Sequence, residues 1–404
     1  MDTLQIRSEP LGVVLVIGSW NYPVNLLLTP VVGAIAAGNC VIMKPSEVAA
    51  NIAQVITDLV PKYLDQRCYR VINGGAKEMG LVLEQRYDHI LYTGSGNVGK
   101  VIAGAAAKHL TPVTLELGGK SPVVISNDSD LKITANRIAW GKFVNAGQTC
   151  IAPDYVLMPS AKIPEFTAAL QKSIQRMYGT DASKSPDYCR IIHERHWERI
   201  NALLTTTKGE VVFGGNANKD DLYVSPTIVV KPDVSDEIMK EEIFGPILPI
   251  VPCETAEEAI RFVNERDTPL ALYVFSKDKH FSKKILDNTN SGGAVVNDVI
   301  MHFVESCLPF GGCGPSGQGA YHGDKSFETF SHQRSTMIKQ QNMEAVNKIK
   351  YPPYNEDKAK VVQMFTASPP NFGKSWGVGY VTSSLHKAVG LMSSDDAVPA
   401  EKKQ

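Results

Sequence analysis

Residues able to do covalent or acid–base chemistry are thinly spread along this sequence. Seven cysteines (Cys40, Cys68, Cys150, Cys189, Cys253, Cys307 and Cys313) are odd in number and form no C-x-x-C pair, so paired thiol ligation of a metal is not indicated. Taken singly, a cysteine reads as a small buried hydrophobe. Gly94-Ser95-Gly96-Asn97-Val98-Gly99 matches G-x-G-x-x-G, follows an apolar run and opens a helical one. Glycines at a helix N-terminus let backbone N–H groups approach a pyrophosphate. In a plain dinucleotide-binding fold the ribose acid lies about 20 residues on, which selects Glu116. Two features oppose that assignment. The strand ahead of these glycines is the fourth or fifth rather than the first, and Glu116 opens an unusual string, Glu116-Leu117-Gly118-Gly119-Lys120-Ser121-Pro122. His302 and His322 have no H-x-x-x-H or Cys/His companions and read as satisfied structural residues, so no metal centre is expected.

The elements that must hold such residues alternate. Val13–Ile17, Cys40–Met43, Tyr69–Ile72 and His89–Tyr92 read as short apolar strands, interleaved with helical stretches at Val24–Ala37, Ile52–Leu64 and Val98–His109. That pattern predicts an α/β fold, a doubly wound parallel sheet with helices on both faces. A second α/β set follows. Its strands are Val123–Ile125, Tyr155–Met158, Val211–Phe213, Leu272–Phe275 and Gly293–Asn297, and its helices Leu131–Val144, Ile163–Tyr178, His196–Thr207, Ala256–Asn264 and Phe281–Asn288. A length of 404 residues suggests two or three domains.

Lys plus Arg number 41 and Asp plus Glu 42, a net charge of −1, which offers no field to gather nucleic acid or an anionic membrane. Val24–Met43 is apolar and long enough to span a bilayer, but Pro30, Gly33, Gly38 and Asn39 interrupt it. A buried helix running into a buried strand is expected instead. Met1–Pro10 lacks the basic start of a signal peptide, and scattered cysteines suit a reduced, cytoplasmic setting. Beyond Tyr351, Pro352, Pro353, Pro369 and Pro370 predict an extension rather than a domain. Trp376–Met392 is too interrupted by Ser383, Ser384, His386 and Lys387 to span, which leaves peripheral contact with an intracellular membrane.

Six strings stand in register with one family. Trp20-Asn21-Tyr22-Pro23, Lys44-Pro45-Ser46-Glu47, Tyr92-Thr93-Gly94-Ser95, Glu116-Leu117-Gly118-Gly119-Lys120, Gly147-Gln148-Thr149-Cys150 and Glu241-Glu242-Ile243-Phe244-Gly245-Pro246 resemble the ordered motifs of the aldehyde dehydrogenase superfamily. Asn297-Asp298 and the run from Pro309-Phe310-Gly311-Gly312 through Tyr321-His322-Gly323 to Phe330-Ser331-His332 resemble its class 3, or fatty aldehyde, branch. The resemblance covers Glu9 to Tyr354.

It implies a catalytic set. Cys150 matches the nucleophile: an aldehyde yields hydride only after a nucleophile makes its carbon tetrahedral, and a thiolate both adds and leaves readily. Asn21 matches the oxyanion donor, together with the backbone N–H of Cys150. Glu116 matches the general base that activates water against the thioester, with Glu242 as the next candidate. For the cofactor, Lys44 and Glu47 match adenosine-ribose contacts, and Gly94 and Ser95 the pyrophosphate turn. Trp20, Leu117 and Gly118 line the cofactor's path, and Glu242 and Phe244 match the residues that hold the nicotinamide ribose and ring. The carboxylate of Glu47 favours NAD, with NADP possible.

The family pattern further implies an NAD(P)-binding domain at 1–117, a catalytic domain at 118–315, a return to the cofactor domain with an oligomerisation strand at 316–345, and a tail at 346–404. It places a helical segment and the first strand of an oligomerisation hairpin ahead of Glu9, where only Met1–Ser8 stands here. The expected activity is NAD(P)-dependent oxidation of medium- or long-chain aliphatic, aromatic or apocarotenoid aldehydes to acids, by a homodimer. Two alternatives are a non-catalytic remnant that keeps cofactor binding or pairs with a full-length subunit as a regulatory partner, and acyl transfer to coenzyme A, which Glu116 disfavours.

Overall fold

The computed structural model describes residues 3–341 and 344–366. Contacts divide the chain into two compact units: Arg7–Arg334, and a smaller one that joins residues 3–6 to the described chain from Ser335 on. The chain runs through β1 (Thr3–Pro10), β2 (Val13–Ile17), α1 (Asn25–Ala36), β3 (Cys40–Lys44), α2 (Ala50–Tyr63), β4 (Tyr69–Val71), α3 (Ala76–Leu83), β5 (His89–Thr93), α4 (Gly96–Ala107) and β6 (Val113–Glu116). Apolar runs such as VVLVI in β2 and HILYT in β5 bury side chains on both faces, as strands covered by helices must. They pair in parallel in the order β4–β3–β2–β5–β6, with Ile17 level with Lys44 and Tyr92. Successive strands first extend the sheet to one side of β2 and then to the other. The crevice outside the carboxyl ends of β2 and β5 is therefore a topological switch point, where open sheets bind ligands.

A second sheet follows, from β7 (Pro122–Ile125), α5 (Leu131–Phe143), β8 (Tyr155–Met158), α6 (Ile163–Tyr178), α7 (Glu194–Thr206) and β9 (Glu210–Phe213). After a short ribbon, β10 (Ala217–Asn218) with β11 (Tyr223–Val224), come β12 (Thr227–Val230), α8 (Glu237–Lys240) and β13 (Ile247–Pro252). The set ends with α9 (Ala256–Asn264), β14 (Ala271–Phe275), α10 (Lys279–Asp287) and β15 (Gly293–Val296). The order is β15–β14–β7–β8–β13–β12–β9, with β9 antiparallel to β12. The chain then returns to the first sheet: β16 (Gly317–Gln318) lies antiparallel to β6, with Gly317 opposite Glu116. Last, β17 (Ser331–Ile338) pairs with β1.

The α/β architecture matches the expectation, and Val24–Met43 is indeed a helix followed by a strand. Among the described residues no helix is long and apolar enough to cross a membrane. Three departures are informative. β13, ILPIVP, is a central strand despite its prolines: Pro249 is level with Val229 on β12, and its missing N–H faces β8, where pairing begins only at Ile250. The start, expected to lack a hairpin strand, forms β1, and Arg334 pairs with Glu9 at 3.1 Å. Glu356–Thr366 is helical, with Glu356 and Asp357 in its first turn, where an extension was expected. Trp376–Met392 lies outside the described residues.

Candidate active site

The carboxyl ends of the first sheet deliver most of the residues singled out above. β2 leads into Trp20 and Asn21, β3 ends at Lys44, β5 runs into Gly94 and Ser95, and β6 ends at Glu116. Lys44 is buried and its Nζ lies 2.5 Å from Glu47 Oε2. Partial burial opposes ionisation of Glu47, but the hydrogen bond and charge of Lys44 hold the carboxyl below its ordinary value. Ser95 caps α4, accepting from the N–H of Val98 at 3.4 Å. Gly94 admits no side chain, since a Cβ there would stand 2.2 Å from Tyr92 Oη. Leu117 is anchored by its N–H to Ser316 O at 3.1 Å. At Gly118 a Cβ would stand 2.1 Å from Glu242 Oε2, so the carboxyl of Glu242 rests directly on glycine backbone.

Cys150 arrives by a tight reversal. After α5, Asn145, Ala146 and Gly147 adopt φ of 52°, 51° and 73°, and a Cβ on Gly147 would stand 2.3 Å from Gly245 O. The buried side chain of Gln148 fastens the loop, donating to Asn145 O (3.0 Å) and Arg190 O (3.1 Å) and accepting from Ile192 N–H (3.0 Å). Asn21 Nδ2 donates to Gln148 O at 3.0 Å, Asn145 Nδ2 donates to Asn21 O at 3.0 Å, and Tyr22 Oη meets Thr149 Oγ1 at 2.8 Å. Burial, then the charges of Glu242 and Glu116, push the Cys150 thiol up, so it rests protonated. Glu116 is 2% exposed, neither carboxyl oxygen has a partner among the described residues, and burial pushes its pKa well up. Glu242 is pushed up to about 8 by burial and Asp154, against the pull of the Gly119 N–H. Tyr321, fully buried, feels both Glu116 and Cys150.

These residues fit a dinucleotide. Orphaned buried oxygens on Glu116, side-chain-free backbone at Gly94 and Gly118, and the open N-terminus of α4 at the switch point together form a cradle with unspent polar groups. Among the described residues no group of His, Cys, Asp and Glu could hold a metal ion.

Several participants had no signal in the sequence. Lys120 Nζ binds Asp154 Oδ2 at 2.6 Å, Lys142 Nζ stands 3.9 Å from Asp154 Oδ1, and Asp154 accepts from Ile243 N–H at 3.0 Å, so a buried ionic set underlies the Glu242 loop. Arg199 donates to Ile243 O at 2.6 Å and helps hold Phe244, whose φ is 46°. The Trp20 ring lies 5.5 Å edge-on from Phe244 and 5.3 Å from His196. Two expectations need correction. His302 has neither ring nitrogen partnered and His322 lacks a partner at Nδ1, because an aromatic cluster with Phe303, Phe310 and Tyr321 surrounds them instead of polar groups. Of the six other cysteines only Cys253 is buried.

A match to the aldehyde dehydrogenase family spans residues 2–336. The chain is 51% identical over 374 residues to Aldehyde dehydrogenase family 3 member A2 of Rattus norvegicus, covering 93% of this chain and 77% of that one. It is 53% identical over 352 residues to Aldehyde dehydrogenase, dimeric NADP-preferring, of Rattus norvegicus, covering 87% and 77%. The substrate-bound state of Staphylococcus aureus AldH superposes with a TM-score of 0.86 at 42% identity, covering 89% of this chain and 78% of that one. A dinucleotide cradle beside a partly buried cysteine, joined to matches of this extent, makes the chain a member of the aldehyde dehydrogenase family, class 3-like, and an NAD(P)-dependent oxidoreductase.

Proposed function

We propose that this chain oxidises an aldehyde to a carboxylic acid with Cys150 as nucleophile, Asn21 as oxyanion donor and Glu116 as general base. One observation carries the reading: the partly buried Cys150 thiol lies within electrostatic reach of two carboxyls, the buried Glu116 and the half-buried Glu242, on a loop whose backbone Asn21 grips. A thiol must lose its proton to react. Glu116, raised by burial and free of other partners, is a strong base once ionised and takes the Sγ proton. Sγ then bonds to the carbonyl carbon and charge gathers on oxygen. One hydrogen of Asn21 Nδ2 already binds Gln148 O, which fixes the amide plane, and the other serves the oxyanion with the backbone N–H of Cys150. A nicotinamide dinucleotide supplies, when bound, the hydride acceptor. Loss of hydride leaves a thioester on Cys150. Glu116 first releases the thiol proton to solvent, then takes a proton from water; hydroxide adds, the acid departs as the carbon–sulfur bond breaks, and Sγ regains a proton from the Glu116 carboxyl, so one proton leaves per turnover.

Lys44 and Glu47 would hold the adenosine ribose, Gly94 and Ser95 the pyrophosphate, and Trp20, Leu117, Gly118, Glu242 and Phe244 the nicotinamide end. The aromatic cluster around Tyr321 suits a medium- or long-chain aliphatic, aromatic or apocarotenoid aldehyde. The relative named dimeric supports assembly as a homodimer. Glu116→Gln tests the scheme: an NADH burst should persist while steady turnover falls, with an acyl adduct on Cys150 visible by mass spectrometry. Cys150→Ala should abolish the burst and keep NAD binding. Unchanged turnover in Glu116→Gln would transfer the base role to Glu242.

A further inference from the structure

Cys40 opens β3, and Cys68 is the last residue before β4, the neighbouring strand at the sheet edge. Val41 is level with Tyr69, and the Val41 N–H donates to Cys68 O at 2.9 Å, so the two cysteines stand side by side one residue earlier. In a parallel pair, register partners share a face about 4.8 Å apart, inside the roughly 4.4–6.8 Å Cα separation that a disulfide bridges. Both cysteines are unpaired by disulfide and only partly buried. The nearby Cys68 side chain, and then burial, push the Cys40 thiol up. Cys68 stands at the end of a turn, its N–H on Asp65 O at 3.0 Å, just ahead of β4. It can close the remaining gap without disturbing the ladder, and β4 is the outer strand of its sheet.

We propose that Cys40 and Cys68 form a peroxide-oxidisable dithiol, a modification site that closes as a disulfide across the β3–β4 edge. The step balances with a hydroperoxide as oxidant. One thiol attacks the O–O bond, gaining oxygen as a sulfenic acid and releasing water from hydrogen peroxide or an alcohol from an organic hydroperoxide. The second thiol then attacks that sulfur, the S–O bond breaks, an S–S bond forms and a further water leaves. Two electrons pass from the sulfur pair to the peroxide. The bond ties together the two strands that α2 connects, and so restricts the unfolded chain. Neither cysteine belongs to the aldehyde chemistry proposed above, so this site stands or falls separately.

The full 404-residue chain is treated with hydrogen peroxide, blocked with N-ethylmaleimide, digested without reductant and mapped by mass spectrometry. The expected product is a crosslinked peptide pair, two hydrogens lighter than the sum of the Cys40 and Cys68 peptides, which dithiothreitol dissolves. Cys40→Ser and Cys68→Ser should each remove it. Oxidation should raise the Tm of the wild type by a few degrees and leave both variants unmoved. Maleimide on both cysteines after peroxide, separate sulfinic acids on each, or pairing of either with another cysteine would overturn the proposal.

Discussion

Glu242 couples the site to pH. Burial and Asp154 raise its carboxyl from 4.5 to about 8, so the folded chain holds a proton that the unfolded chain releases between those values. Stability from this group is complete below about 4.5 and is lost as pH climbs through about 8. Lys142, lowered by burial to about 8, acts above that window. Between about pH 6.5 and 8, above the range in which His89, His196 and His302, lowered by burial to about 4, add stability with rising pH, the Tm of the wild type should fall, and Glu242→Gln should show a shallower fall; parallel curves would refute the assignment. Asn21 makes a second test. Removing one oxyanion donor costs about 10²–10³ in kcat, so Asn21→Ala should depress turnover far more than NAD affinity. A variant whose defect is confined to NAD binding would remove Asn21 from that role. Cys150, Glu116, Asn21, Lys44 and Glu47 were legible because each sits in a short string of distinctive spacing. Lys142 and Asp154 were not, because a polar residue's burial depends on neighbours far along the chain: Asp154 is fixed by Lys120 and the Ile243 N–H.

The reversal after α5 is the element on which the nucleophile depends. Of three successive left-handed residues two, Asn145 and Ala146, are not glycine, and those two persist only where surroundings over-determine them, at about 1–3 kcal/mol each. Gly147→Ala adds a Cβ 2.3 Å from Gly245 O, a backbone atom that cannot swing aside. It should cost about 1–3 kcal/mol of stability and lower kcat by more than the Tm loss alone explains, because Cys150 lies three residues on. Stopped-flow NADH bursts and thermal melts separate the two effects, and a wild-type burst would show that the loop absorbs the change. At this scale β2, β3, β5 and α1 were legible from continuous apolar runs. β1 was hidden because nearly all its side chains are exposed, so no alternation marks it, and β17, exposed in the same way, was expected only from the family resemblance. β13 was hidden because its prolines read as breaks while the pairing places one of them where no donor is required.

The chain as a whole is two sheets threaded in sequence, with one late return. That both sheets would be α/β was legible from the alternation of elements; that residues from 316 on would return to the first domain was implied by the family resemblance and not by local pattern, since GQ carries no strand signal and pairs only because Leu117 and Glu116 await it. The return has a consequence for how the protein is made. Glu116 leaves the ribosome roughly 200 residues before Gly317, which at about 5–20 residues per second is ~10–40 s of synthesis with the β6 edge open. During that interval β6 offers unpaired backbone to any passing strand, and a chaperone is the natural occupant. Stalled nascent chains ending near residue 300 should be cut rapidly by protease around β6. Chains long enough to expose β16 outside the exit tunnel should resist, and equal cleavage of both would mean that the edge is protected before its partner is born.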